Sequence, residues 1–256
     1  MKLQYETYGY QNNPPLALIH GWGLCGKIFT PIIPILSKDF HLNVIDLPGY
    51  GVNHNIPSNH TESILNSLND TIPKNINILG WSLGGMLATE YASFYPSCIN
   101  KLITVCASPK FIEDTNWKGF DRELIITLIN TINENNHKKI IEKFLTIQSI
   151  GSPSIKNDIK LIKQLISQMP ETKYYELQYG LKLLLDMDLR AYTDRITCPS
   201  LHIYGAKDRL VPILNSNCWP HKDDTLIYTF KESSHAPFIS ETELFCKIIK
   251  KFILYT

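Results

Sequence analysis

The sequence of 256 residues predicts an α/β fold with a mainly parallel sheet, helices on both faces and an inserted helical cap. Two observations predict this fold. Short apolar runs alternate with segments of helical periodicity, which is the pattern of strand–helix–strand crossovers. The alternation stops between residues 109 and 187, where helical patterns follow one another without a strand, and then resumes. We therefore expect a core of residues 1–108 and 188–256, with residues 109–187 as the cap.

The first part of the core alternates strands with helices. Apolar runs predict strands over residues 15–21, 41–49, 75–82 and 101–108. Helical spacing of apolar residues predicts helices over 61–72 and 83–95. Thr61 is a candidate N-cap for the first of these helices. Pro96 ends the second, because proline cannot continue a helix.

Helical segments fill the predicted cap, over residues 121–132, 137–150, 155–169 and 174–187. After the cap, strand patterns return at 199–205 and 224–230, with a helical segment at 211–219 between them. Residues 241–254 predict a terminal helix. The chain therefore ends as it begins, in alternating strands and helices.

The composition excludes several classes of protein. Hydrophobic residues make up 44% and charged residues 19%, as in ordinary globular proteins and unlike disordered chains. A net charge of +1 gives no global signal for binding nucleic acid or an anionic membrane. No apolar run approaches the roughly 18 residues of a membrane span, and the first residues do not resemble a signal peptide. The six scattered cysteines predict free thiols in the cytoplasm, with no metal site and no cofactor.

A nucleophile motif lies between a predicted strand and a predicted helix. The run Gly80-Trp81-Ser82-Leu83-Gly84 fits the pattern G-x-S-x-G, in which a sharp turn exposes the serine hydroxyl above the sheet. The helix that follows directs its first N–H groups at the reacting centre, where negative charge develops. A chance glycine–serine turn is the alternative, and the strand–motif–helix context disfavours it.

A serine hydroxyl is a weak nucleophile and needs a general base, which an acid in turn holds in place. Of the eight histidines, His235 is favoured because it lies on a loop between the last predicted strand and the last helix. Asp208 directly follows the predicted strand 199–205 and is favoured as the acid. Asp186 and Asp188 are rivals for that role. Taken singly, Asp208 fits a helix cap and His235 an ordinary loop histidine.

The oxyanion of an acyl-transfer reaction needs two N–H donors. One is expected from the backbone of Leu83, the residue after the nucleophile. The other is expected from the backbone of Trp22, on a loop that follows an early strand and has glycines on both sides of the tryptophan. An ordinary strand-ending turn is the alternative interpretation of that loop.

The sequence resembles the α/β-hydrolase superfamily over its whole length. Within it, the sequence is most similar to the pimeloyl-acyl-carrier protein methyl ester esterases of biotin synthesis. The resemblance is carried by IHGWGL, DLPGYG, GWSLGGMLA, CASPKF, KFLTIQSIG, YGAKDRLVP and HAPFIS. It implies an α/β-hydrolase fold with a helical cap, and hydrolysis of the methyl ester of pimeloyl-acyl-carrier protein to pimeloyl-acyl-carrier protein and methanol. Superfamily branches that use aspartate as the nucleophile are disfavoured by Ser82.

The resemblance also implies a partner and a place where it docks. In that family, basic residues of the cap bind the acidic carrier protein. Residues 138–163 here hold six lysines and two acidic residues, a local net charge of +4. The docking residues implied by the resemblance are Lys139, Lys143, Lys156 and Lys160. The family mostly has arginine at these positions, and lysine keeps the charge but loses the bidentate geometry. A solvated cap surface is the alternative.

Three aromatic residues are candidates for binding the acyl chain. Phe144 matches a family cap residue that faces this chain, and Trp22 and Trp81 flank the predicted catalytic centre. Simple packing in the core is the alternative for each. Two other functions stay open: a general short-chain carboxylesterase or another hydrolase of C–C or amide bonds, and a ligand-binding receptor on the same scaffold. We expect the protein to act as a monomer.

Overall fold

The computed structural model describes residues 1–152, 155–168, 170–220 and 222–256, without the side chain of Ile166. Within these ranges one sheet of seven strands organises the chain. Its strands are β1 (Tyr5–Tyr8), β2 (Pro15–Ile19), β3 (His41–Ile45), β4 (Ile76–Trp81), β5 (Ile99–Val105), β6 (Ser200–Gly205) and β7 (Thr225–Phe230).

The strands lie in the order β1-β3-β2-β4-β5-β6-β7, and only the β1–β3 pairing is antiparallel. Register is set in the middle of the sheet by pairs such as Leu18 with Leu79 and Gly80 with Thr104. All residues of β4 and β6 are buried, because helices cover both faces. This explains why these strands are continuous apolar runs in the sequence.

Helices connect the strands and cover the sheet. They are α1 (Ile33–Leu36), α2 (Thr61–Thr71), α3 (Leu83–Phe94), α4 (Arg122–Thr131), α5 (His137–Ser149), α6 (Ile155–Ile166), α7 (Tyr174–Asp186), α8 (Pro237–Ser240) and α9 (Thr242–Tyr255). Helix α3 packs on β4 and β5 and contacts α7, and ten of its twelve residues are buried. The sheet and α3 therefore form the centre of the hydrophobic core.

The helices of the predicted cap stand between β5 and β6. The described residues of this stretch form α4 to α7 and add no strand to the sheet, only isolated bridges such as the one between Lys110 and Asp188. The helical character expected there is therefore observed. The division of the chain into core and cap at residues 109 and 187 stays a prediction.

The structure corrects two local expectations and adds one strand that the sequence did not predict. Thr61 is the first residue of α2, and its N-cap is His60, which makes no side-chain capping hydrogen bond. The segment predicted as helix at 211–219 forms only a 3₁₀ turn over Ile213–Cys218. Strand β1 was not predicted, because it is a short edge strand with an exposed, polar sequence and no apolar alternation. Among the described residues, no helix is both long and apolar enough to cross a membrane.

Candidate active site

The loops that carry the predicted catalytic residues meet at one edge of the sheet. Ser82 follows β4, Asp208 follows β6 and His235 follows β7, and these strands are parallel. Because the carboxyl ends of parallel strands lie at the same edge, the topology gathers residues that are far apart in sequence.

Ser82 occupies a strained turn between β4 and α3. Its backbone has φ 55° and ψ −121°, a left-handed conformation that is uncommon for a residue with a side chain. The turn is held by hydrogen bonds on both sides. The Ser82 N–H donates to the carbonyl of Val105 at 2.9 Å, and the Ser82 carbonyl accepts from Gly85 N–H at 2.9 Å. Such strain is typical of functional sites and costs about 1–3 kcal/mol.

The two glycines of the motif are required by close packing. A Cβ atom on Gly84 would lie 2.4 Å from the carbonyl oxygens of Ile19 and His20, at the end of β2. A Cβ on Gly80 would lie 2.3 Å from the Gly84 carbonyl oxygen. Any side chain would therefore push α3 away from β2 and open the turn that carries Ser82.

The structure brings His235 and Asp208 into direct contact. The Nδ1 atom of His235 lies 2.7 Å from Oδ2 of Asp208, and both side chains are fully buried. The other carboxylate oxygen of Asp208 accepts hydrogen bonds from the backbone N–H groups of Leu210 at 2.8 Å and Val211 at 3.2 Å. With a proton on Nδ1, the ring presents the lone pair of Nε2, which has no hydrogen-bond partner among the described residues.

Ser82 is linked to His235 through its neighbour and not by a hydrogen bond in this structure. The indole Nε1 of Trp81 donates to the carbonyl of His235 at 2.7 Å, and the two rings lie 5.6 Å apart. The residue before Ser82 therefore fixes the loop that carries the histidine. The buried, unpartnered Nε2 is free to take the serine proton, a contact that often forms only when substrate is bound.

The two residues predicted to supply oxyanion donors each lie within one residue of a group next to Ser82 or of Ser82 itself. Leu83 is the first residue of α3, so its N–H is one of the helical donors without an intrahelical acceptor. The Trp22 loop runs against the serine, because a Cβ on Gly21 would lie 3.1 Å from Cβ of Ser82. His20 holds this loop. Its Nδ1 donates to the Gly21 carbonyl at 2.8 Å, and its Nε2 accepts from the N–H of Leu47 at 3.0 Å.

Burial explains why the imidazole ring of His20 is neutral. The imidazole is fully buried, and removal from water lowers its pKa below the ordinary value of 6.5, against the opposing effect of the Asp46 charge. A neutral ring can donate from one nitrogen and accept at the other, as these two contacts require. His20 therefore acts as a fixed link between the loops after β2 and β3.

The three predicted acyl-binding aromatics surround the site as buried residues. Trp22 and Trp81 are 1% and 0% exposed, and Phe144 is 3% exposed. Phe144 of α5 packs edge-on against the Trp22 indole, with ring centroids 4.9 Å apart. Helix α5 and the loop that carries Trp22 are thus in contact. Contact of these rings with an acyl chain stays a prediction.

The four predicted docking lysines lie on α5 and α6 with exposed side chains, namely Lys139, Lys143, Lys156 and Lys160. In the part of the chain that the structure describes, none of the four forms an ion pair, whereas the neighbouring Lys163 pairs with Glu142 at 3.3 Å. The four charges are therefore available to a partner.

The rival acids do not contact His235. Asp188 pairs with Arg190 at 2.6 Å and with Lys110 at 3.2 Å. The hydrogen bond from Arg190 is the main reason why its pKa falls to about 2. Asp186 is an exposed residue at the end of α7. Neither carboxylate is placed to orient the imidazole.

Cys106 is a neighbour of the site that sequence analysis missed. It follows β5 with a left-handed backbone, φ 47°, and is fully buried. Its Sγ, a carboxylate oxygen of Asp208 and a ring nitrogen of His235 lie within 4.8 Å of one another. Burial, and then the Asp208 charge, raise its pKa well above 9.0, so the group stays a neutral thiol. The sequence around it is an ordinary strand end and gave no signal of this contact.

Comparison with solved structures and with a family model shows which fold the chain has. The structure superimposes on an esterase from Exiguobacterium antarcticum with a TM-score of 0.82 and 22% identity, covering 96% of this chain and 93% of that one. The enol-lactonase of Burkholderia xenovorans gives a TM-score of 0.81 at 18% identity, covering 98% and 96%. A family model for the alpha/beta hydrolase fold matches residues 14–124. These likenesses establish the fold.

Relatives that match the chain over almost its whole length identify a narrower family within this fold. A protein of Vibrio vulnificus named pimeloyl-acyl-carrier protein methyl ester esterase is 35% identical over 254 residues, 98% of this chain and 97% of that protein. A protein of the same name from Photobacterium profundum is 36% identical over 252 residues, 98% of both chains. This chain belongs to the pimeloyl-acyl-carrier protein methyl ester esterase family. It is accordingly a carboxylic ester hydrolase with the α/β-hydrolase fold, as the sequence resemblance predicts.

Proposed function

We propose that the protein hydrolyses the methyl ester of pimeloyl-acyl-carrier protein, releasing methanol and the free carboxylate of pimeloyl-acyl-carrier protein in biotin biosynthesis. The relatives that carry this name match the chain almost from end to end. The observation that carries the proposal is the buried His235–Asp208 pair, 2.7 Å apart, with an unpartnered Nε2 beside the strained Ser82 turn. It is the arrangement that activates a serine for attack on an ester.

In the first half of the reaction, Ser82 Oγ attacks the ester carbonyl. His235 Nε2 takes the hydroxyl proton, and the charge of Asp208 stabilises the imidazolium that forms. The carbonyl oxygen becomes an oxyanion, which accepts hydrogen bonds from the N–H groups of Trp22 and Leu83. Each such donor contributes about 10²–10³ in rate. The intermediate then expels methoxide, which leaves as methanol with the proton of His235.

In the second half, water replaces methanol. His235 takes a proton from the water molecule, whose oxygen attacks the carbonyl of the acyl-enzyme and forms a second oxyanion in the same pair of N–H groups. Collapse of this intermediate breaks the bond to Ser82, and the imidazolium returns its proton to the serine oxygen. The product is a carboxylic acid that ionises at neutral pH.

We assign the acyl chain to the aromatic wall formed by Trp22, Trp81 and Phe144. These rings are buried between the sheet and α5, where an apolar methylene chain is favourably removed from water. A cavity of about 380 Å³ lies between the loop at Gly23 and helices α5 and α6, and neither these three rings nor the catalytic residues line it. In this proposal, residues 109–187 act as the cap that closes over the substrate.

The carrier protein docks, in this proposal, on Lys139, Lys143, Lys156 and Lys160. An acidic partner would be steered and oriented by these exposed cations of two cap helices, which form no ion pair with any residue that the structure describes. Because ammonium groups lack the bidentate geometry of arginine, the patch supplies charge rather than directional hydrogen bonds. The enzyme is proposed to act as a monomer in the cytoplasm, where its six free cysteines stay reduced.

The proposal is tested by comparing substrates. The specificity constant kcat/KM is measured for the carrier-bound methyl ester and for a short aryl ester that needs no docking. We expect the carrier-bound ester to be strongly preferred. Cleavage of the short ester without conversion of the carrier-bound ester would show a general esterase and contradict the proposal.

The docking surface is tested by charge reversal. The triple variant Lys143→Glu/Lys156→Glu/Lys160→Glu is expected to raise KM for the carrier-bound ester at least about tenfold and to leave the short ester unchanged. The control Lys2→Glu/Lys74→Glu/Lys251→Glu changes the net charge equally at exposed lysines elsewhere. Equal effects of the two triple variants would reject the surface.

A further inference from the structure

We propose that Gly180 of α7 is a positioning residue for the oxyanion loop: its missing side chain lets the Trp22 indole sit against the helix and thereby fixes the Trp22 backbone N–H. The inference rests on the proposed role of that N–H as an oxyanion donor. It adds a residue of the cap helices to the determinants of the catalytic rate.

The first observation is the contact of Trp22 with α7. The indole Nε1 donates to the Leu177 carbonyl at 2.9 Å, and the indole is 1% exposed. Phe144 covers the same ring from α5. A ring that is hydrogen-bonded at one edge and in contact with a second ring cannot turn aside without losing these contacts. The position of the indole therefore determines the position of its own backbone.

The second observation is the space at Gly180. A Cβ atom there would lie 2.6 Å from Cδ1 of Trp22 and 3.1 Å from its Nε1. It would also lie 2.6 Å from the hydroxyl oxygen of Tyr50, which is itself buried and packs edge-on against His20. Carbon atoms in contact are about 3.5–4.0 Å apart, so even a methyl group displaces one of these rings or the helix.

The helix is not free to move instead. Its first turns are attached to the loop after β3 by the buried carboxylate of Glu176, which accepts hydrogen bonds from the N–H and the hydroxyl of Ser58. Gly49 of the same loop touches this carboxylate, because a Cβ on Gly49 would lie 2.6 Å from Oε2 of Glu176. With α7 held to the core, a side chain at residue 180 pushes against Trp22.

A displacement of the Trp22 indole would be felt at the reacting atoms, because the backbone of this residue lies close to Ser82. The Trp22 backbone follows Gly21, and a Cβ on Gly21 would lie 3.1 Å from Cβ of Ser82. A displacement of the indole is therefore passed within one residue to the N–H that is proposed to face the oxyanion. Such donors act only when they are aimed at the developing charge, and a displacement of about 1 Å can cost about 10²-fold in rate.

The test is Gly180→Ala, a substitution that favours helix formation and would otherwise be harmless. We expect kcat for a short aryl ester to fall by about 10- to 100-fold, with KM changed by less than about twofold. Affinity for an alkylboronic acid, which forms a tetrahedral adduct with Ser82, should fall in parallel. Lys182→Ala, at an exposed position of the same helix, is the matched control and should keep the wild-type rate.

A double-mutant cycle separates positioning from a general effect on α7. In the Trp22→Ala background there is no indole to displace, and an added Tyr50→Phe removes the hydroxyl that the new Cβ would also meet. Gly180→Ala should then change kcat less than about twofold. An equal loss of kcat in both backgrounds, or unchanged kcat and boronic acid affinity in the single variant, would overturn the inference. Absence of ester hydrolysis by the wild-type protein would instead reject the proposed function itself. Circular dichroism and Tm show that each variant is folded, and the boronic acid comparison stands alone if Trp22→Ala does not fold.

Discussion

Replacing Asp208 by asparagine keeps the shape of the side chain and removes its charge. In the native site one oxygen of Asp208 accepts from Nδ1 of His235, and the other accepts from two backbone N–H groups. The asparagine side chain has only one oxygen, and the two backbone N–H groups keep that oxygen as their acceptor. The NH₂ group of the asparagine then faces His235 Nδ1, which can accept only if its proton moves to Nε2.

The expected loss of kcat in Asp208→Asn follows from this change of tautomer. With the proton on Nε2, the nitrogen that should receive the proton of Ser82 is already occupied, and the charge that stabilises the imidazolium is gone. In a well-studied serine protease, the same substitution lowers kcat by about 10⁴. Since each factor of ten is about 1.4 kcal/mol, we expect the barrier to rise by about 5.5 kcal/mol. Both side chains of the pair are fully buried in this protein, so bulk solvent does not screen the loss of the charge.

The assay compares kcat/KM of Asp208→Asn and wild type on one short ester between pH 6 and 9. We expect a loss of at least about 10³-fold throughout this range, with KM changed little. Asp188→Asn is the matched control, because among the described residues this rival acid pairs with Arg190 and Lys110 and not with His235, so the variant should keep its activity within about twofold. A loss below about tenfold for Asp208→Asn, or a larger loss for Asp188→Asn, would refute the reasoning.

Three further variants test other parts of the structure. Trp81→Phe removes the 2.7 Å hydrogen bond to the His235 carbonyl, so kcat for a short aryl ester, which lacks the pimeloyl chain, should fall several-fold while KM changes little; an unchanged kcat would show that the bond does not position the histidine. Lys101→Met removes the ammonium that donates to the carbonyls of Phe252 and Ile253 at the end of α9, and should lower the free energy of unfolding by about 2 kcal/mol in urea titrations. Burial raises the pKa of Glu90 from 4.5 to about 7, so this group binds protons more tightly in the folded state. Its stabilising effect is full below pH 4.5 and is lost as the pH rises through about 7, so the Tm of wild type relative to Glu90→Gln should fall from pH 5 to pH 8.

The parts of the site that sequence analysis could predict are those with a local pattern. Ser82 has a motif whose glycines are needed at fixed positions, and the structure shows why, since Gly84 touches the end of β2. Asp208 and His235 follow strands whose apolar runs are plain in the sequence. Because parallel strands end at one edge, these strand ends indicate that the three residues lie at the same edge of the sheet, whereas contact between their side chains could not be predicted.

The parts that could not be predicted depend on contacts between distant segments. Nothing near Trp22 indicates that its indole donates to a helix carbonyl 155 residues away. The same holds for Gly180, whose lack of a side chain matters only because Trp22 lies opposite. Cys106 is an apolar strand-end residue by sequence, and only the packing of three loops places its thiol beside Asp208. Strand β1 is defined by its partner β3 and not by its own sequence.

The most direct test of the central claim measures conversion of the carrier-bound pimeloyl methyl ester to its acid by wild type and by Ser82→Ala. Removing the hydroxyl takes away the nucleophile, and circular dichroism and Tm verify that the variant is folded. We expect rapid conversion by wild type and a loss of at least about 10³-fold in the variant. Equal rates for the two proteins would contradict the account, because the ester would then be cleaved without the serine on which the mechanism depends.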